Sequence, residues 1–222
     1  MVTVGAALGY AAQAKALADF AEKAWKWRED FAKRSRNEAE QRDARLLAGS
    51  GVLVAAMRTL DNTTRELLGE LRDFDVSWPP ERRSEVMVHV RRFSDSEQIL
   101  PILRQALAEM EMLNVGRSAP EWTERLVDCG RSILAALGDS PATPFRSSEE
   151  LTRFMRDVKS ATTVEQVDAV VAAAHESVNA FNRSTLADAD RAYGFLKAQI
   201  HERHPSLSDP GWAVILSPTR LP

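Results

Sequence analysis

Apolar residues recur at helical spacing along nearly the whole chain. Leu17, Phe20, Ala24, Trp27 and Phe31 alternate by threes and fours, which predicts a long N-terminal helix with one apolar stripe. The stripe then fails, because the next positions in its register are Arg34, Glu38, Gln41 and Arg45. No proline precedes Pro79, so nothing forbids long helices here. The Gly49-Ser50-Gly51 triplet predicts the end of the first helix, since glycine costs about 1 kcal/mol relative to alanine inside a helix.

A second helix is predicted over 52–73, with Leu53, Met57, Leu60, Leu67 and Leu71 on its apolar face. Ser77-Trp78-Pro79-Pro80 ends it, and Val86, Val90 and Phe93 mark a third helix over 80–93. Ser94 and Glu97 match a capping box for a fourth, over 95–115, with Ile99, Leu103, Ala106, Met110 and Leu113 inward. Pro101 lies too deep for that start, so it either kinks the helix or the start is later. Trp122, Leu126, Cys129 and Ile133 mark a fifth helix over 120–137. Residues 138–147, with Pro141 and Pro144, read as a long loop.

Ser147 with Glu150 caps a sixth helix over 148–160, and Thr162 with Glu165 caps a seventh. Val164, Val167, Val171 and Ala174 line that seventh helix, which runs continuous or kinked to about residue 203. No period-2 alternation flanked by hairpin turns and no solenoid repeat occurs. The expected fold is all-α: seven or eight helices in an irregular or bundle-like array, with a long N-terminal helix followed by an antiparallel helix. The expected organisation is a helical bundle over 1–137, the Pro-containing loop 138–147, a helical pair over 148–204 packed on the first part, and an extended tail over 205–222.

Composition narrows the class without naming a function. With 44% hydrophobic and 27% charged residues in 222, the chain is an ordinary globular protein. A net charge of −3 gives no overall pull toward nucleic acid. The single cysteine, Cys129, excludes an internal disulfide and fits a reducing, cytoplasmic compartment. Its place on an apolar helix side predicts an inert thiol. Gln13 and Lys15 interrupt the N-terminal apolar run, which is neither a secretory signal nor long enough to span a membrane.

Candidate chemistry is thin. His201 and His204 are three apart at a helix end, whereas a zinc site needs three or four ligands. They read as cations complementing the negative end of a helix dipole. The order His201-Glu202-Arg203-His204 is not a zinc-protease motif, and no phosphate-binding glycine loop or nucleophile elbow occurs. The chain is expected to be no enzyme and to hold no cofactor or metal.

Three surfaces remain. Arg82, Arg83, Arg91 and Arg92 lie about two and a half turns apart on one predicted helix, a basic patch that neighbouring acids offset; nucleic acid is the least favoured partner. Gly5 and Gly9 are four apart among Ala6, Ala7, Ala11 and Ala12, a spacing that lets helices approach closely. Lys15, Lys23, Lys26, Trp25 and Trp27 follow, so residues 2–31 suit either a partner helix or a membrane surface. This layout is distantly similar to HeLo-type and related helical cell-death domains, which begin with a small, glycine-containing apolar helix thought to disrupt membranes. The resemblance implies a membrane-associated effector of the cell-death or defence type. The leading expectation is different: a protein partner or a second copy, contacted through Leu17, Phe20, Trp25, Trp27 and Phe31, with Trp212 of the tail as a further contact.

Overall fold

Twelve uncharged residues in a row, Leu46 to Met57, are buried, and they set the centre of the fold. A helix that is apolar all round must be surrounded by other elements. The computed structural model describes residues 4–70, 77–79, 81, 99–114, 121–137 and 148–207. Among these are six helices and no strand. They are α1 (Val4–Arg34), α2 (Glu38–Glu70), α3 (Ile99–Asn114), α4 (Glu121–Leu137), α5 (Ser148–Ser160) and α6 (Val164–Arg203). The fold is all-α, and α1 and α2 form the expected long antiparallel pair. The predicted helix over 80–93 apart from Glu81, the cap at Ser94 and Glu97, the loop 138–147 and the knot at Trp212 lie outside the described residues.

The break between the first two helices is not where glycine predicted it. It falls at Ser35-Arg36-Asn37, and Gly49-Ser50-Gly51 lies in the middle of α2. Asn37 caps α2: its Oδ1 accepts from the Ala39 N–H at 2.9 Å. Gln41 closes the end of α1 by donating to the carbonyls of Ser35 (2.6 Å) and Ala32 (3.2 Å). Lys33 and Arg34 end α1 and Glu38 and Glu40 begin α2, so both helix dipoles meet favourable charge.

The glycine triplet survives mid-helix because the space around it is full. A Cβ on Gly49 would stand 3.2 Å from the Met110 sulfur of α3. Ser50 is buried but satisfied within its own helix, donating to the Leu46 carbonyl at 2.6 Å. Close packing of α3 on α2 thus outweighs the helix cost of glycine.

Helix α2 touches α1, α3, α4 and α6. The inner stripe of α1 is as predicted: Leu17, Phe20 and Ala24 are buried, and Trp27 and Phe31 pack half-buried against the same core. Helix α3 contributes Ile99, Leu103, Ala106 and Met110. Pro101 stands two residues after Ile99, where the described part of α3 begins. Helix α6 is continuous over 40 residues and capped by Thr163 rather than Thr162. Its C-terminal half places Ala189, Leu196 and Ile200 in the central core. Its N-terminal half carries buried Val167, Val171 and Ala174 where α5 packs.

Two glycines test this packing with opposite signs. Gly194 lies exposed inside α6 with nothing within 4 Å of an added Cβ. Gly194→Ala is expected to stabilise the fold by about 0.5–1 kcal/mol through helix propensity. On Gly130 a Cβ would meet Leu107 Cδ1 at 2.9 Å and Leu53 Cδ1 at 3.4 Å. Gly130→Val is expected to destabilise by about 1–3 kcal/mol through overpacking. Urea unfolding midpoints measure both; a gain for Gly130→Val would show that α4 does not press on α2 and α3 there.

Candidate protein-interaction surface

Helix α1 presents two chemically distinct sides. At 3.6 residues per turn, Ala14, Leu17, Ala21 and Ala24 share one side and are buried. Ala18, Glu22, Lys26, Glu29 and Lys33 fall on the other side and are exposed. Trp25 sits on the border, half-buried. This outer side and Ile102 of α3 line an open groove of about 540 Å³. The Trp25 indole N–H itself is buried, shut off from the groove, and has no hydrogen-bond partner among the described residues. A buried donor left unpaired costs about 1–3 kcal/mol.

Charge alternates along the groove: Glu22, Lys26, Glu29 and Asp30, then Lys33. Lys33 lies 3.7 Å from Asp30 within the helix, an exposed pair of little strength. A second, smaller depression of about 450 Å³ follows at Arg28, Glu29, Arg45, Glu109 and Met112. Arg28 bonds Glu109 across it and so ties α1 to α3.

The structure separates the residues that the sequence grouped as one contact. Leu17 and Phe20 belong to the chain's own core, and their side chains are closed to a partner. Trp27 and Phe31 turn together, ring centroids 5.8 Å apart, onto the core. Trp25 alone of this group lines the groove. Gly5 and Gly9 lie in α1, but their surroundings fall outside the described residues. Arg82, Arg83, Arg91, Arg92 and Trp212 lie outside the described residues as well.

The two C-terminal histidines do not converge. His201 is exposed, whereas His204 turns inward, with Nε2 3.5 Å from Asp43 and Nδ1 4.0 Å from Glu40. Arg203 also reaches Asp43, at 3.1 Å. This cluster fixes the end of α6 to the start of α2. No group of three or more His, Cys, Asp or Glu side chains suited to a metal occurs among the described residues. Burial, helped by Asp188 and Asp128, pushes the Cys129 thiol up and keeps it protonated.

Sequence reasoning missed a second surface feature. Trp122 and Phe195 stack with centroids 4.4 Å apart, and Arg125 lies 5.2 Å above the Trp122 ring. Phe195 remains 51% exposed. Its partner is on another helix, so no spacing within either segment announces the pair.

No family model, no curated protein and no solved structure matches this chain.

The Asp43 cluster generates a pH prediction. Burial raises the Asp43 pKa above its ordinary 3.8, although Arg203, His204 and Arg42 pull the other way. The folded state therefore holds this proton more tightly than the unfolded chain does. The resulting stability is fully present below about pH 3.8 and is lost as pH rises through the higher folded value. Asp43→Asn is expected to be at least as stable as the parent at pH 7, with the difference closing as pH falls toward 4. Denaturant titrations at several pH values measure it. A loss above about 1 kcal/mol at pH 7 would mean that pairing with Arg203 and His204 outweighs burial.

Proposed function

We propose that this chain is a non-enzymatic helical protein that works by self-association through the outer side of α1. One observation supports the reading most: the outer side of α1 lines an open, charge-alternating groove with the half-buried Trp25 at its edge, while its other side is closed into the core. Tryptophan at the edge of a groove is the residue type that most often dominates a protein interface. Charge of both signs along one helix side favours a protein partner over a phosphate backbone, which would be repelled by Glu22, Glu29 and Asp30.

A membrane-active reading competes for the same helix. It would require Leu17, Phe20 and Ala24 to leave the core and face lipid. Exposing each large side chain on the way costs about 1.5–3 kcal/mol. No helix among the described residues is long and apolar enough to cross a membrane. The outer side of α1, by contrast, is available without any rearrangement.

Sedimentation velocity on the full chain over a concentration series tests the reading. A reversible, concentration-dependent monomer–dimer equilibrium is expected. A chain that stays monomeric throughout, or that releases dye from anionic vesicles without self-associating, contradicts it.

A further inference from the structure

The groove has a charge order that can be read as a docking code, and this inference rests on the self-association reading above. Along the outer side of α1 the order is Glu22, Lys26, Glu29, Lys33, with Trp25 and Asp30 on its flanks. In a parallel two-fold pair each residue would face its own copy, setting Glu22 on Glu22 and Lys26 on Lys26. Like charges opposed in this way repel. An antiparallel pair with its two-fold axis between Trp27 and Arg28 reverses the outcome. Positions whose numbers are equally far from the axis then face each other. Glu22 meets Lys33 of the second copy, and Lys26 meets its Glu29.

The two-fold axis repeats each pair, so the register holds two Glu22–Lys33 contacts and two Lys26–Glu29 contacts. Sliding the axis by two positions toward the C-terminus sets Lys26 against Lys33 and Glu29 against Asp30, which is repulsive at every contact. Sliding it a residue and a half toward the N-terminus sets Glu22 against Asp30 and Lys26 against itself. Ala18 lines the groove with a small, exposed side chain and leaves room for the approach of a second helix.

We infer that a second copy of this chain occupies the groove, its α1 antiparallel to the first and held in register by Glu22–Lys33 and Lys26–Glu29 pairs between copies. The pairs select the partner and its direction, while the Trp25 edge supplies the apolar contact. Exposed pairs of this kind are weakened by salt, so the association should fall steadily as salt is raised.

Charge reversal tests the register by complementation. Lys26→Glu leaves two acids facing each other across the axis, and Glu29→Lys leaves two lysines. Each variant alone is expected to associate at least about tenfold more weakly than the parent. Mixed in equal amounts, the two variants restore both pairs, since each copy now supplies what the other lacks. The mixture is expected to form a one-to-one heterodimer of near-parental affinity, measured by sedimentation velocity with one variant fluorescently labelled. Circular dichroism of each variant, unchanged from the parent, shows that the loss alone is not unfolding. A parent that dimerises while both variants dimerise equally well overturns the register but leaves self-association standing. Variants that weaken alone and fail to rescue each other overturn the antiparallel pairing. A monomeric parent overturns both.

Discussion

Everything in this fold depends on the burial of α2 on all sides. The run from Leu46 to Met57 exposes no charged group and leaves no side for water. Such a helix is stable only inside a ring of others, and α1, α3, α4 and α6 supply that ring. Gly49 sits where α3 comes closest. The hydroxyls of Ser50, Thr59 and Thr63 turn back onto carbonyls of α2 itself. The helix therefore carries its polar groups inward without asking its neighbours for hydrogen bonds.

The surrounding helices are oriented by charge at the edge of this core. Arg58 of α2 donates to Asp190 of α6, with Nε 2.9 Å and Nη2 2.8 Å from the same carboxylate oxygen. Arg131 of α4 reaches Glu111 of α3 at 2.7 Å, and Arg203 of α6 reaches Asp43. The Arg58 and Arg131 pairs are partly exposed, so they contribute little net stability, and at the third pair the burial of Asp43 offsets its attraction to Arg203. Their effect is on register: each fixes how one helix is rotated and how far it slides against the next. Burial raises the pKa of Asp190 as it does that of Asp43, with Arg58 opposing. The apolar ring supplies the free energy, and the pairs choose among the ways of closing it.

Much of this was legible in the chain because helical period survives wherever a helix has one dry side. The inner stripe of α1, the inward residues of α3 and the extent of α6 to residue 203 are of that kind, although the chain left open whether α6 is kinked. The α1–α2 break was not found, although its signal was present. Asn37 with Glu40 three residues later is a cap with a partner acid, but the glycine triplet carried the stronger local argument. Glycine reads as a helix end only when nothing presses on it, and the Met110 side chain that presses on Gly49 is 61 positions away. The outer side of α1 was missed for a similar reason. Helical period already sets Trp25 off the stripe that carries Trp27, but only the position of Ile102 on α3 shows that a groove lies beside it.

Burial of Leu17, Phe20, Ala21 and Ala24 makes α1 a fixed part of the core with the proposed contact on its outer side, not an arm held ready for release. Native-state hydrogen exchange on the full chain measures that directly. The amides of residues 14–24 are predicted to exchange only through global unfolding, with the same opening free energy as residues 46–57 of α2. Exchange of 14–24 through a smaller opening, while 46–57 stay protected, would contradict the account and show that the N-terminal helix leaves the fold on its own.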